Sequence, residues 1–200
     1  YYVNNDEATV AIREAFKKYI ADMFKLYGFS AEQAEEKAQA VFQHETMLAL
    51  ISKSATELRN PQANYNKMTL KEFQSSYPNL HLEEMCNAEG IKSEFIQDMI
   101  VGQPAFMEGL DKITAAESAA TLKALMEWDV ITSSAAYLTD EIRECNFDFF
   151  GKTMSGRKED YPLWKRAVNQ VQSQMGEPLG RMYCKRYFPE SSKKIMQTLV

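Results

Sequence analysis

The segment VFQHETMLALI, residues 41–51, contains the first half of a motif that can bind zinc. In the complete motif, His-Glu-x-x-His, both histidines lie on one face of a helix and bind a single metal ion, while the glutamate serves as a general base. His44 and Glu45 match the first two positions, but Leu48 occupies the position of the second histidine. This helix therefore supplies one imidazole at most.

A hydrolytic zinc site typically needs three protein ligands and an open position for water. The only other histidine is His81, which lies beyond a loop and is followed by Glu83 and Glu84. A site formed by His44, His81 and a carboxylate is one hypothesis. The alternative is that His44 is a helix-surface or hydrogen-bonded residue, and the missing second ligand favours this alternative.

The sequence also lacks the motifs of nucleophilic catalysis and of phosphate binding. The sequence has no Gly-x-Ser-x-Gly elbow and no glycine-rich phosphate loop. Cys86, Cys145 and Cys184 are widely spaced, without a Cys-x-x-Cys pair, so we expect buried or unreactive thiols rather than disulfides or a zinc knuckle. We assign no catalytic, cofactor-binding or metal-binding residue in this chain.

The composition is that of an ordinary soluble globular chain, with 45% hydrophobic and 26% charged residues. The net charge is −5 and the basic residues are dispersed, which argues against a nucleic-acid partner because phosphate binding needs a basic face. No run of about 18 apolar residues occurs, so we predict no membrane segment. The chain begins YYVNNDE, without a secretion signal, and we expect it to be part of a longer protein.

The sequence around His44 and Glu45 has the periodicity of α-helices. Between residues 7 and 27, apolar side chains recur at three- and four-residue intervals, as on an amphipathic helix, and Gly28 is a natural stop. Ser30 and Gln33 form a capping box, which begins a helix predicted to reach about Leu58.

Turns interrupt the middle of the chain. Residues 59–68 contain Pro61 and several asparagines, which predict a loop. Thr69 begins a second capped helix, which Pro78 ends. Residues 95–101 are the one plausible strand, whose partner could lie outside this chain.

The second half of the chain is again helical. A third capping box, Thr114 with Glu117, begins what we predict to be the longest helix, ending near Phe150. Pro162 suits the first turn of a further helix. The two short helices that follow are punctuated by Gly176, Gly180 and Pro189. The pattern predicts an all-α fold: a single multi-helix domain with at most one short strand or hairpin.

Six segments resemble, in order and along essentially the whole chain, the neprilysin family of zinc metallopeptidases, which includes bacterial endopeptidase O. They are IREAFKKYIADMFKLYG, ETMLAL, RNPQANYNKMTLKEFQSSYP, DMIVGQPAFMEGL, TLKALMEWDVI and LWKRAVNQVQSQMGEPLGRMYCKRYFPESSKK. The second segment is similar to the family's Glu-x-x-Leu-Ala helix, which accounts for Glu45, Leu48 and Ala49 without a metal. The similarity is to the noncatalytic, helical part of these enzymes.

This resemblance implies a role as well as a fold. In the family, a helical domain covers the catalytic domain and encloses a cavity that admits only peptides of limited size, while the zinc ligands and the general base belong to the other part. Residues 1–200 would then be a helical lid domain, inactive alone, of a zinc-dependent metalloendopeptidase. Its implied partners are the catalytic domain of the same parent chain and the parent's peptide substrates; zinc is a cofactor of the parent and not of this chain.

Departures from the animal pattern favour a bacterial member. Leu163 and Ala167 stand where many animal members have an arginine and a disulfide cysteine. A bacterial member is expected in the periplasm, in the cell envelope or as a secreted protein.

Several residues receive structural roles. We expect packing roles for Trp128, Trp164, Tyr65 and Phe149. The residues expected to fix the loop are Arg59, Asn60, Tyr65 and Asn66. Within that loop, Arg59 is the one for which we predict a buried ion pair.

A free-standing helical module that binds a peptide or a protein is the alternative from another class. Its groove would be lined by some of the 11 methionines and 23 aromatic residues (11 Phe, 10 Tyr and 2 Trp), although helically spaced aromatics are more often core. The coding sequence beyond Val200 separates the two hypotheses. A His-Glu-x-x-His helix there would favour the peptidase, and a stop codon would favour the module.

Overall fold

Helices account for most of the chain in the computed structural model, which describes residues 1–199. The chain divides into two compact units, Tyr1–Gly156 and a second that begins at Arg157, and each is described by itself. The α-helices of the first unit are α1 (Glu7–Tyr27), α2 (Ala31–Ile51), α3 (Leu70–Ser76), α4 (Leu82–Ala88), α5 (Pro104–Ala116), α6 (Ala119–Ser134) and α7 (Asp140–Phe147). The α-helices of the second unit are α8 (Leu163–Gln174), α9 (Gly176–Tyr187) and α10 (Glu190–Leu199). The predicted all-α fold is confirmed.

Shorter elements connect the helices of the first unit. Two strands, β1 (Lys67–Thr69) and β2 (Asp98–Ile100), form one small antiparallel sheet. Single 3₁₀ turns lie at Glu57–Arg59, Pro78–Leu80, Ser93–Phe95 and Ala135–Tyr137. A π-helical turn, Asp148–Thr153, follows α7 directly.

The first two helices begin and end largely where the sequence predicts. α1 ends at Gly28, whose φ of 117° is left-handed and therefore suits glycine. α2 begins with the predicted capping box between Ser30 and Gln33. It ends at Ile51 and not near Leu58, because Ser54 starts a separate turn by bonding the carboxylate of Glu57.

The main core of the first unit lies among α1, α2, α6, α7 and the π-helical turn. α1 contributes three of its largest fully buried side chains, Ile20, Met23 and Phe24, which the helical period places on one side. Val41 of α2 and Ile131 of α6 belong to the same cluster. Truncating one of the large aliphatic or aromatic side chains to alanine is expected to cost about 2–5 kcal/mol of stability.

The small sheet contains the one predicted strand. β2 lies within the predicted residues 95–101 and pairs with β1, with Met68 opposite Met99. Because its partner belongs to this chain, the suggestion of an outside partner is wrong. The sequence missed β1 because three residues are too few to show a strand alternation.

The predicted helix from Thr114 to Phe150 is wrong. Thr114 lies inside α5, and Glu117 is the residue that follows its end. The side chain of Ser118 accepts a hydrogen bond from the backbone N–H of Thr121, so the next helix begins four residues later than the predicted box requires. Thr139 caps α7 in the same way, which divides the segment again.

The second unit consists of short helices with little interior of their own. Pro162 is the residue that precedes α8, and Gly180 lies inside α9 without interrupting it. Among residues 157–199, no side chain is fully buried. In the part of the chain that the structure describes, no helix is both long and apolar enough to cross a membrane.

Candidate functional site

His44 makes a largely buried contact with a carboxylate. Its Nδ1 lies 2.9 Å from Oε1 of Glu117, and the two side chains are only 15% and 9% exposed. The contact joins the middle of α2 to the point where α5 ends and α6 is about to begin. Of the two readings of His44, the structure supports the hydrogen-bonded one.

Glu45 also accepts a hydrogen bond, from a residue of the N-terminal segment. The hydroxyl of Tyr2 donates to Oε2 of Glu45 over 3.4 Å. Burial, together with the negative charge of Glu45, raises the pKa of Tyr2 to about 12, so the phenol remains a neutral donor at physiological pH. Both polar residues of the half-motif therefore have structural partners.

His81 stands in a different environment. It adopts a left-handed conformation, with φ of 46°, just before α4, and its Nδ1 lies 3.8 Å from Glu84. Its side chain is 66% exposed, whereas that of His44 is largely buried. Within residues 1–199, no group of three or more His, Cys, Asp or Glu side chains is arranged to hold a metal ion.

The loop after α2 is fixed by asparagines. Asn60 Oδ1 accepts hydrogen bonds from two backbone N–H groups, and Asn66 Nδ2 donates to the carbonyl oxygens of Ala63 and Val101. These two predicted roles are confirmed. Asn64, which the prediction omitted, donates to the carbonyl of Leu58 over 2.7 Å.

The other two loop predictions are wrong. Arg59 is exposed, and it forms no ion pair among the residues that the structure describes. Tyr65 is 63% exposed and packs in neither core. The asparagines satisfy the backbone of this loop directly, so no buried charge is needed to hold it.

Two of the predicted packing residues lie in the main core. The ring of Trp128 is 5.4 Å from that of Tyr19, and Phe149 stacks on Tyr19 at 4.9 Å. Trp164 is 67% exposed, so its predicted packing role is wrong for this chain. It stands on α8, where no neighbouring element of the second unit covers it.

The three cysteines are free thiols. Burial raises the pKa of the Cys145 thiol to about 11, so this group is protonated and a poor nucleophile near neutral pH. Cys86 is also partly buried, whereas Cys184 is exposed.

The second unit carries an open apolar groove between α8 and α9. The groove has a volume of about 690 Å³, and its walls include Val168, Val171, Leu179 and Tyr183. These four side chains are between 40% and 61% exposed. An apolar surface of this kind is typical of a face that another protein surface covers.

Comparison with known proteins gives one family for the whole chain. The model of the N-terminal part of Peptidase family M13 matches residues 1–200. Neprilysin-2 of Drosophila melanogaster is 26% identical over 193 residues, which are 90% of this chain and 25% of that protein. Human endothelin-converting enzyme 1 is 23% identical over 203 residues, which are 100% of this chain and 26% of that protein.

Solved structures agree with this result. Zinc metalloprotease Zmp1 of Mycobacterium tuberculosis, in complex with an inhibitor, is 26% identical with a TM-score of 0.90, over 98% of this chain and 30% of that one. Its open state gives 27% identity and a TM-score of 0.88 over the same shares. The chain therefore spans about a quarter to a third of the length of these relatives.

Proposed function

This chain belongs to peptidase family M13, and we propose that it is the helical part of a zinc metalloendopeptidase that covers the active-site cavity. In this role it restricts the substrates to smaller peptides and performs no chemistry of its own. The observation that carries the proposal is the family match over residues 1–200, combined with the chain's small share of each relative.

The physical contribution of such a part is steric and electrostatic. A helical cover excludes bulky substrates, and it limits the access of water to the reacting groups. In the parent, a zinc ion would supply Lewis-acid activation of a water molecule and of the substrate carbonyl, with a glutamate as general base. Those groups belong to the rest of the parent chain, which is the proposed partner of this one.

Two local observations support a noncatalytic role. His44 and Glu45, the residues closest to a zinc motif, already have partners in Glu117 and Tyr2. The α8–α9 groove leaves apolar side chains exposed, as expected of a part that meets a larger body.

The proposal is tested by measuring zinc and peptidase activity on two proteins. We expect residues 1–200 alone to bind no stoichiometric zinc and to cleave no fluorogenic peptide when zinc is supplied. We expect the full coding sequence to yield a protein with one zinc per chain and chelator-sensitive cleavage. One zinc per chain in residues 1–200 would overturn the assignment.

The covering role needs a separate measurement. With the full parent, kcat/KM should fall steeply as the substrate grows from a peptide of about ten residues to an unfolded protein, because larger substrates do not fit a closed cavity. A matched series of substrates should share one cleavage sequence and differ only in the length of the flanking residues. Such a series separates the effect of substrate size from that of the cleavage sequence. Equal kcat/KM along the series would remove the covering role and leave the family assignment intact.

The α8–α9 groove favours one further candidate, a free-standing helical module that binds a peptide. The coding sequence beyond residue 200 decides between the two. A His-Glu-x-x-His helix there supports the peptidase, and a stop codon supports the module.

A further inference from the structure

The first unit contains a second, smaller hydrophobic cluster besides its main core. Its buried members are Phe73, Tyr77 and Val101. Every residue of this cluster lies between positions 68 and 107, and the main core takes no residue from that part of the chain. The middle segment, which we define as residues 53–116, therefore has a core of its own.

Helix α5 lies between the two cores and uses two sides to do so. On one side, the carboxylate of Asp111 accepts hydrogen bonds from the backbone N–H and the side-chain amide of Asn79, over 2.7 and 2.9 Å. On another side, Gly109 lies so close to α2 that an added Cβ would be 2.8 Å from Cδ1 of Ile51. Successive residues are about 100° apart around a helix, so Gly109 and Asp111 face nearly opposite directions. Helix α5 thus belongs to the middle segment and meets α2 with its far side.

The two points at which the chain enters and leaves the middle segment lie at opposite ends of α5. The first is Ser52, where α2 ends in extended backbone, and the second is Glu117, where α5 ends in extended backbone. The backbone nitrogen of Lys53 lies 3.5 Å from Oε1 of Gln103, the residue that precedes α5. Two such points define an axis along α5. Residues at the ends of elements are those that commonly form hinges.

One polar contact holds the second of these points to α2. It is the contact of 2.9 Å between Oε1 of Glu117 and Nδ1 of His44. Among the described residues, the side-chain hydrogen bonds and ion pairs of residues 53–116 all have both partners inside that range. The position of the middle segment against α2 therefore depends on helix packing and on this one contact.

We propose that the contact between His44 and Glu117 is a latch. While it holds, the middle segment is fixed against α2. When the two side chains separate, the segment turns as one body about the axis through Ser52 and Glu117, and it keeps its own core and the contact between Asp111 and Asn79. The latch does not depend on the covering role, because only contacts within the first unit form it.

The test measures distances by double electron–electron resonance in the full-length product of the coding sequence. Nitroxide labels carried on p-acetylphenylalanine leave the native cysteines unchanged. One pair of labels replaces Glu32, at the start of α2, and Lys71, on α3 of the middle segment, both of which are exposed. The control pair replaces Glu7 and Glu32, which lie on α1 and α2. In the wild type we expect one narrow distance for each pair.

Variants of the latch should release the middle segment alone. His44→Ala should broaden the distribution between positions 32 and 71 to at least about twice its wild-type width, and it should leave the control pair unchanged. Glu117→Ala separates the same contact without leaving a buried carboxylate, so it tests the latch even if His44→Ala folds poorly. Gln43→Ala, at an exposed position of the same helix, should change neither distance.

Three results would overturn the proposal. The distribution between positions 32 and 71 would keep its wild-type width in both latch variants, or both label pairs would broaden alike, which would mean a general loosening of the unit. The third is a distribution between positions 32 and 71 that is already broad in the wild type, because the latch would then hold nothing.

Discussion

At the scale of single residues, the contact between His44 and Glu117 shows how half of a zinc motif serves the fold. A histidine and a carboxylate that are both largely buried satisfy each other, and together they link α2 to the α5–α6 junction. A buried carboxylate without a partner is costly. Removing the histidine therefore removes more than one weak hydrogen bond.

We predict that His44→Ala lowers the free energy of unfolding by about 1–3 kcal/mol, because Glu117 remains buried without its partner. Urea unfolding followed by circular dichroism measures the change. The matched control is Gln43→Ala on the same helix, whose side chain is exposed and whose loss should change stability by less than about 0.5 kcal/mol. Equal effects of the two substitutions would show that the His44 contact contributes nothing.

The thiols offer a second prediction at this scale. Burial raises the pKa of Cys145 to about 11, and the thiolate is the reactive form. The raised pKa means that the thiolate is scarce at pH 8.5 and increases only as the pH rises toward 11. We therefore expect iodoacetamide to label Cys145 at least roughly tenfold more slowly than the exposed Cys184 at pH 8.5.

Peptide mapping by mass spectrometry gives both labelling rates in one sample. The same comparison after unfolding in urea is the control, because both thiols are then exposed to solvent and should react at similar rates. Equal rates in the folded chain would contradict the burial of Cys145.

Residue roles were predictable where they depend on local sequence. Asn60 and Asn66 fix their loop because asparagine side chains readily bond nearby backbone groups. Trp164 and Arg59 were misassigned, because their surroundings depend on which elements lie nearby in space. The spacing of residues along the chain does not predict which elements lie next to each other in space.

At the scale of elements, the π-helical turn depends on a glycine. An added Cβ at Gly151 would lie 2.2 Å from Cε2 of Phe147, so the ring would have to move. We predict that Gly151→Ala destabilises the first unit by about 1–3 kcal/mol through this overpacking. Thermal unfolding measures the loss.

Gly180→Ala is the matched control for that substitution. Gly180 also lies in a helix, but an added Cβ there meets no atom within 4 Å. Alanine should be neutral or stabilising there, by up to about 1 kcal/mol, since it is the better helix former. A destabilisation of equal size at both positions would mean that the contact with Phe147 is irrelevant.

Two helix starts were predictable because a capping box determines each of them. The boxes at Ser30 and Thr69 form as expected, because the side chain satisfies N–H groups that the helix leaves free. The third predicted box failed because Thr114 lies in the last turn of α5, and Ser118 caps the helix that follows. The π-helical turn has no sequence signature of its own, so it could not be predicted from the sequence.

At the scale of the whole molecule, the all-α class and the family were predictable, and the exposed faces were not. Helical periodicity shows that α8, α9 and α10 each have an apolar side. It does not show what covers that side. In this chain those sides lie open, and the relatives that it matches are three to four times longer.

The final prediction therefore concerns the α8–α9 groove, which we propose is covered by the rest of the parent chain. Val171→Lys with Leu179→Lys should reduce the binding of the dye ANS to the 200-residue chain, because both side chains are exposed apolar walls. The substitutions should hardly change the stability of this chain alone.

In the full parent, the same double substitution should lower the melting temperature by several degrees, since two charges would then be buried without partners. Glu36→Lys, at an exposed position of α2 that already carries a charge, is the control and should have no comparable effect. If the parent tolerates lysine at positions 171 and 179 as well as the isolated chain does, the groove is open in the parent too. It would then be a surface that another molecule can reach in the parent.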